Sequence, residues 1–388
     1  MIKVVDLFSG AGGLTFGFQK KIYRNRFVDD NRFNVIFANE YDSKAAEAFR
    51  NNFPNIPMIE EDISNLDIEY LNKMYLDIKN VDLVIGGPPC QSFSTVGKRQ
   101  YDNRAKMYKE YRRILSIIKP KVFIFENVLG LLTMKNDKGT PVIEDVIKSF
   151  EDFSDFNDTL SYIIYKQVLN AQDFGVPQSR ERVFLVGIRK DLPLKEKWEF
   201  PKPVTIGTKV SIKDAISDLP VLVNGSGTKK YQKKPESKYQ FLMRGKQKVL
   251  NDHVNGYSGD RMQKIMEAVI EGEGRPYINK LVQEGKLSKN LYLTSGYRNT
   301  YGRLWWDRPA TTITNNLSTP SSLRCIHPKQ DRALTSREGA RLQSFPDNFV
   351  FIGSKEKINS QIGNAVPPLL SIHLADAIDN FFAKNFRK

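Results

Sequence analysis

Val81-Asp82-Leu83-Val84-Ile85-Gly86-Gly87-Pro88-Pro89-Cys90-Gln91-Ser92-Phe93-Ser94 is the stretch from which the fold can be read. A short apolar run bounded by Gly and Pro has the pattern of a buried strand. The two glycines then allow close backbone approach, and the two prolines stiffen the exit. Cys90 would emerge just past the strand end, where open α/β sheets keep their active sites. A lone cysteine is ordinarily a packed core residue. The Gly86-Gly87-Pro88-Pro89 frame favours a nucleophile instead.

The same reading extends in both directions. Residues 2–7, 34–38, 57–59, 81–85, 121–125, 162–168 and 183–188 are short strand-like runs, separated up to residue 190 by helix-like stretches. Strands alternating with helices predict βαβ units and a doubly wound, mainly parallel sheet, an α/β fold of Rossmann type. From about 191 to 330 the periodicity weakens and Gly and Pro become frequent, and helix-like patterning returns at 335–344 and 367–382. The expected organisation is therefore a catalytic and cofactor-binding domain over 1–190, a smaller irregular domain over 191–330, and a segment 331–388 that returns to the first domain.

The first strand runs into Asp6-Leu7-Phe8-Ser9-Gly10-Ala11-Gly12-Gly13. Glycines at such a turn let the backbone approach a ligand, with the free N–H groups of a helix behind them. The spacing differs from G-x-G-x-x-G, and Asp6 would repel a pyrophosphate; a cationic amino-acid moiety suits it better. Glu40, after the second strand, stands where a carboxylate accepts from ribose hydroxyls. Asp62, after the third, could accept from an exocyclic amine. Singly, each is more often a surface residue or a cap. Together they describe a site for a nucleoside with a zwitterionic tail, which S-adenosylmethionine satisfies. Further on, Glu126-Asn127-Val128 closes the strand 36 residues after Cys90, room for one crossover helix, so thiol and carboxyl could share a sheet edge. Period-2 spacing in Gln178-Ser179-Arg180-Glu181-Arg182 would put Arg180 and Arg182 on one strand face.

The chain of 388 residues carries 59 Lys and Arg against 44 Asp and Glu, a formal charge of +15 that points to a polyanion. Nucleic acid is favoured over membrane, since no apolar stretch approaches the roughly 20 residues a spanning helix needs. Met1-Ile2-Lys3-Val4-Val5-Asp6 meets a charge too soon for a secretory signal, so a cytoplasmic location is expected. Two cysteines, Cys90 and Cys325, make no disulfide framework and no metal-ligand spacing; no metal is expected, and Cys325 reads as structural. Residues 229–248 carry eight basic side chains against Glu236 alone, with Tyr231, Tyr239 and Phe241 interleaved. Such a run is usually a solvated face, but it also suits a phosphate-tracking surface.

Taken together, these residues resemble the C5-cytosine DNA methyltransferases. Asp6 to Gly13 is similar to that family's cofactor motif and Gly86 to Ser94 to its nucleophile motif. Glu126-Asn127-Val128, Gln178 to Arg182, Arg337-Glu338-Gly339-Ala340-Arg341-Leu342-Gln343-Ser344-Phe345-Pro346 and Gly363-Asn364-Ala365-Val366-Pro367 match further motifs in order. The resemblance leaves out 191–330, which takes the place of the target-recognition domain; Thr311-Thr312-Ile313 is similar to its Thr-containing element. It implies a cofactor site of Asp6, Phe8, Gly10, Gly12, Gly13, Glu40, Tyr41, Asp62, Ile63, Pro88, Asn364 and Ala365. Phe8 and Tyr41 would flank the adenine.

C5 of cytosine is a poor nucleophile, and a thiolate adding at C6 makes it enamine-like, the role the resemblance implies for Cys90. Glu126 would serve N3 and the 4-amino group, Arg182 would hydrogen-bond O2, Arg180 would support the site and Asn127 would order the nucleophile loop. Both ring faces are hidden in a stacked duplex, so the base must be flipped out. Thr95 to Arg104, with Lys98, Arg99 and Arg104, resembles the loop that closes over the flipped base. The expected DNA contacts are these three, Lys229, Lys230, Lys233, Lys234, Thr311 and Thr312. The expectation is a monomer acting on double-stranded DNA, by family analogy within a restriction-modification system. A tRNA cytosine-5 methyltransferase would carry a Cys-Phe-Thr signature that this sequence lacks. An inactive DNA-binding relative is opposed by the presence of Cys90, Glu126, Asn127 and both arginines, and a nicotinamide-dependent oxidoreductase by Asp6 and the setting of Cys90.

Overall fold

The computed structural model describes residues 1–74, 78, 80–89, 107–136 and 139–387. The strands are β1 (Ile2–Leu7), β2 (Lys20–Tyr23), β3 (Arg26–Asp29), β4 (Phe33–Glu40), β5 (Met58–Glu60), β6 (Leu83–Gly86), β7 (Val122–Val128), β8 (Tyr162–Asn170), β9 (Glu181–Arg189), β10 (Gly302–Arg303) and β11 (Arg324–Ile326). The helices are α1 (Gly13–Gly17), α2 (Ser43–Asn52), α3 (Ile68–Lys73), α4 (Met107–Ile118), α5 (Gly130–Thr133), α6 (Val142–Glu151), α7 (Ile212–Ile216) and α8 (Lys238–Arg244), followed by α9 (Asp260–Ala268), α10 (Arg275–Gln283), α11 (Ser336–Leu342), α12 (Lys355–Asn364) and α13 (Pro368–Asn385).

Seven strands form one sheet in the order β5-β4-β1-β6-β7-β9-β8. The five from β5 to β7 are parallel, as the alternation of strands and helices predicts. β9 runs antiparallel to β7, and β8 antiparallel to β9. The reason lies in the connection between β8 and β9, residues 171–180, which is too short for a parallel crossover. The chain winds outward from β1 to β5, then restarts at β6 on the other side of β1. That reversal opens a crevice beyond the carboxyl ends of β1 and β6.

Alternate residues of each strand enter two cores, as the pleat requires. Val5, Leu7, Val84, Phe123 and Phe125 face one cluster with α4 and α6; Val4, Leu83, Ile85 and Ile124 face the other with α1 and α13. Tyr108, Tyr111, Leu115 and Ile118 recur at helical spacing and bury one face of α4, and the Tyr111 hydroxyl donates to the Ile124 carbonyl at 2.9 Å. α13 lies on α1. A Cβ on Gly17 would stand 2.2 Å from the Ser371 carbonyl carbon, so only glycine permits the approach.

Packing does not follow the expected boundary at 191. Trp198, Ile212, Ile216, Tyr239, Leu242, Met243 and Leu250 all belong to the same cluster as α1 and α13. A separate small core comprises Ile265, Met266, Val269, Ile278, Leu291, Leu293 and Ile326. The 212–252 stretch is tied to the C-terminal segment through α11, whose residues are all buried. Arg341 is held there between Asp218 at 2.9 Å and Asp347 at 2.6 Å, all three fully buried. Arg337 donates to the carbonyls of Asn251, Pro346 and Phe349. A buried cation saturated in this way fixes geometry, and deleting one partner would leave an uncompensated charge.

Candidate active site

The loops after β1, β4 and β5 build one half of the crevice. Phe8 turns out of β1 with φ 57°, a conformation uncommon for a side chain with a Cβ, and Gly10 and Gly12 follow with φ 57° and 98°. A Cβ on Gly10 would meet nothing within 4 Å, so its backbone faces open space. Glu40 spans this loop and the next: one oxygen accepts from the Gly10 N–H and the other from the Asp42 N–H, each at 2.8 Å. Burial raises its pKa against those hydrogen bonds. Tyr41 is 75% exposed beside it. Asp62 is exposed and caps the turn Ile63–Asn65, accepting from the N–H and hydroxyl of Ser64, while Ile63 is buried. Gly13 closes the loop from behind. Its Cβ would lie 2.5 Å from the Val366 carbonyl and 3.0 Å from Ala365, which brings the Gly363 to Pro367 motif against the glycine turn. Asn364, the last residue of α12, is exposed at that junction and donates to the Ser360 hydroxyl at 3.2 Å.

Asp6 departs from its expected place. Val4 and Asp6 share a strand face, and α1 covers it, so the carboxyl is fully buried and accepts from the Thr15 hydroxyl. Its other oxygen has no hydrogen-bond partner. Burial pushes its pKa up to about 7, with the Glu40 charge adding to the rise and Thr15 opposing it. Asp6 therefore underpins the glycine turn and does not reach a ligand's cationic end.

The other half gathers at β6, β7 and the start of β9, whose reversed direction returns it to the same edge. Gly86 sits between β1 and β7, where a Cβ would lie 2.5 Å from the Leu7 carbonyl. Gly87 approaches Glu126 so closely that a Cβ would be 2.8 Å from its Oε2. Asn127 donates to the Pro88 carbonyl at 3.4 Å and accepts from the Val128 N–H at 2.8 Å, pinning the loop that leaves β6. In the β7–β9 register Val128 faces Arg182, which places Glu126 diagonally across from Arg182 on one face. The Arg182 Nε lies 3.2 Å from Glu126 Oε1. Burial drives the Glu126 pKa up, and Arg182 and then Arg180 partly offset it. Burial of this kind favours the protonated form of the carboxyl, the form that can donate a hydrogen bond.

Arg180 stands two residues before Arg182, and the charges of both act on Glu126. Arg180 precedes β9, is fully buried, and donates to the carbonyls of Ile313 and Gly363, each at 3.0 Å. It staples the 310–313 strip and the end of α12 to the catalytic edge. Gln178, not singled out in the sequence reading, completes the staple: it donates to Gln343 at 2.8 Å and accepts from the Ile313 N–H at 2.6 Å. Thr312 donates to the Ser179 carbonyl at 3.0 Å, and Thr311 is half-buried beside it. Lys229, Lys230, Lys233 and Lys234 are exposed. Of the interleaved aromatics only Phe241 stands out; Tyr239 is buried and donates to the Arg341 carbonyl, and Tyr231 donates to Asp347 beneath Arg244. Two of the three rings interleaved with the basic run thus serve the interior, and its exposed lysines remain at the surface. Cys90, Lys98, Arg99 and Arg104 lie outside the described residues. Among the described residues no group of His, Cys, Asp and Glu is placed to hold a metal ion, and no helix is long and apolar enough to cross a membrane.

Comparison with known proteins agrees with this geometry. The family model for C-5 cytosine-specific DNA methylase matches residues 2–380. The type II methyltransferase M.DdeI of Desulfomicrobium norvegicum is 35% identical, over 98% of this chain and 89% of that protein. M.NgoFVII of Neisseria gonorrhoeae, also a type II methyltransferase, is 32% identical over 100% and 88%. A prophage-encoded E. coli protein assigned as a DNA modification methyltransferase superposes with a TM-score of 0.73 at 27% identity, covering 98% of this chain and 99% of its own. The methyltransferase EhMeth of Entamoeba histolytica shares the fold, with a TM-score of 0.59 at 17% identity. The chain belongs to the C-5 cytosine-specific DNA methylase family and is a DNA cytosine-5 methyltransferase.

Proposed function

We propose that this enzyme methylates one cytosine, flipped out of a specific duplex sequence, through a covalent bond between Cys90 and C6, and that it serves a restriction-modification system as the type II methyltransferases similar to it do. The observation that carries the reading is the buried Glu126 carboxyl, held against Arg182 and roofed by Gly87, three residues from Cys90 in sequence. As the Cys90 thiolate adds to C6, negative charge moves toward N3 and O2. A protonated Glu126 donates at N3, and Arg182 donates at O2. Asn127 keeps the nucleophile loop in register through Pro88.

The crevice beyond β1 fits S-adenosylmethionine. Glu40 has acceptor capacity for ribose hydroxyls beyond its two backbone bonds, Phe8, Tyr41 and Ile63 offer apolar walls for adenine, and the open backbone at Gly10 admits the ligand. Asp62, Pro88, Gly12, Gly13, Asn364 and Ala365 line or close that space. When bound, S-adenosylmethionine supplies the electrophilic methyl group that C5 takes. Loss of the C5 proton and elimination of Cys90 then free the product. The 191–330 region, with Thr311 and Thr312 at its seam, reads the duplex; Lys98, Arg99, Arg104 and the lysines at 229, 230, 233 and 234 meet phosphates, which set affinity without sequence information. The working unit is a monomer in the cytoplasm.

Duplex DNA with 5-fluorocytosine at the target tests the covalent step, because fluorine cannot leave as a cation and elimination stalls. With S-adenosylmethionine present, the complex should survive denaturing electrophoresis and yield a DNA-linked peptide containing Cys90. An active enzyme that gives no adduct, or one linked through Cys325, overturns the assignment.

A further inference from the structure

The small core of Ile265, Met266, Val269, Ile278, Leu291, Leu293 and Ile326 supports one turn, Gly296 to Thr300, in which Tyr297 is 62% exposed and Arg298 and Asn299 are exposed. Its rigidity comes from below. Thr300 is buried, its N–H and hydroxyl both donate to the Tyr297 carbonyl at 3.2 and 2.9 Å, and its own carbonyl accepts from the Arg275 N–H at 2.9 Å. Gly296 has φ 104°, and a Cβ there would stand 2.7 Å from the Thr300 hydroxyl. Gly274 allows the carbonyls of Arg298 and Thr300 to approach to 3.2 and 3.1 Å of where its Cβ would be. The side chains of Tyr297, Arg298 and Asn299 have no hydrogen-bond or ion-pair partner among the described residues, so a tightly made turn presents three polar groups with no use among them.

This turn is also tied to the catalytic edge. The Tyr301 N–H donates to the Pro320 carbonyl at 2.6 Å, and the strip running back from Pro320 reaches Asn315, whose N–H would lie 2.2 Å from a Cβ on Gly363. Gly363 is the residue whose carbonyl Arg180 holds. The five steps from Pro320 to Asn315 span at most about 18 Å, so this leg of the path is no longer than roughly five base-pair steps. We propose that Tyr297, Arg298 and Asn299 form a base-reading turn for the pairs flanking the target cytosine, with Arg298 and Asn299 addressing purine edges in the major groove. Arginine matches guanine and asparagine matches adenine by paired hydrogen bonds, and rigid support makes such readout selective. The inference rests on the chain acting on cytosine in duplex DNA.

The target is first defined by bisulfite sequencing of DNA from cells expressing the wild type. Wild type, Arg298→Ala and Asn299→Ala are then compared on that duplex and on a panel with each flanking pair exchanged. Each variant should lose roughly ten- to hundredfold in kcat/KM on the target, the scale of one paired base contact. Its activity should stay unchanged on the duplex altered at the pair it reads, so discrimination collapses at that position alone. S-adenosylmethionine affinity and the thermal unfolding midpoint should match wild type. Should Arg298→Ala unfold, Arg298→Lys, which keeps the charge and loses the fork, carries the same test. Preserved discrimination at every position, including a uniform loss on all duplexes, overturns the assignment. A wild type that methylates no cytosine in duplex DNA fails at the family reading beneath it, which the panel separates from failure of the turn.

Discussion

Replacing Gly87 with alanine tests whether the roof over Glu126 is part of the catalytic geometry. The new methyl group would stand 2.8 Å from Glu126 Oε2, and ordinary contact begins at 3.4 Å, so the carboxylate must retreat by about 0.6 Å or the β6 loop must lift. Neither is free, because Arg182 holds the other oxygen at 3.2 Å and Asn127 holds the loop through Pro88. Overpacking of this kind costs about 1–3 kcal/mol, and misplacing a reacting group by this much lowers turnover by roughly 10- to 100-fold. The backbone oxygen and Cβ of Glu126 lie 3.8 and 3.9 Å away, so once its carboxylate is gone the methyl group has room. Gly87→Ala should therefore cost less than about 0.5 kcal/mol in a Glu126→Ala background, a non-additivity expected only of groups in contact. Urea unfolding of the four proteins supplies the stability cycle, and methyl transfer under saturating DNA and S-adenosylmethionine supplies the turnover. An equal cost in both backgrounds, or wild-type turnover in Gly87→Ala, would refute the reasoning.

Asp6 makes stability depend on pH in a defined direction. Its folded pKa of about 7 lies above the ordinary 3.8, so its contribution is complete below about pH 4 and is lost as pH rises through 7. Relative to Asp6→Asn, the wild type should lose about 2.5 kcal/mol between pH 5 and pH 8 in urea unfolding, and parallel curves would contradict the assignment. Gly17→Ala drives a methyl group into the Ser371 and Ile372 backbone and should destabilise by about 2–3 kcal/mol, measured by the same method; a change below about 0.5 kcal/mol would count against the tight seating of α13. Neutralising Lys229, Lys230, Lys233 and Lys234 together should flatten the salt dependence of DNA binding by about 3 to 4 logarithmic units if all four meet phosphate, whereas an unchanged slope returns them to a solvated face.

All seven strands of the sheet were legible, six of them from a β-branched or aromatic run bounded by turn residues and β5 from the short Met58-Ile59 pair after Pro57. The hairpin β2–β3 was not: Lys20, Lys21, Arg24, Arg26 and Asp29 break any apolar alternation, and pairing there depends on contact with α1 and α8. Asp6 was legible as an acid at a strand end, but the side it faces follows from its parity with Val4 and from α1 covering that face. The partners of Arg180 were hidden in another way, since the carbonyls of Ile313 and Gly363 that it holds lie more than a hundred residues on. The α11 hub was hidden for a different reason. Arginines four apart on a helix suggest a solvent face, and only the opposing Asp218 and Asp347, distant in sequence, permit their burial. Glu126 and Gly87 were foreseeable as neighbours because consecutive parallel strands end at one edge, while their contact distance was not.

The seating of α13 on α1 also sets an order of events at the ribosome. Gly13 and Gly17 are made among the first twenty residues, yet the surfaces that cover them, Val366 and Ser371, are made more than three hundred residues later. At about 5–20 residues per second, a nascent chain spends roughly 20–70 seconds with the outer side of its glycine turn uncovered. During that interval the apolar side chains of α1 lack their final neighbours and invite holdase chaperones. A polypeptide released after Arg182 but before Ala365 would have Glu126 and Arg182 but would lack the residues that close the glycine turn from behind.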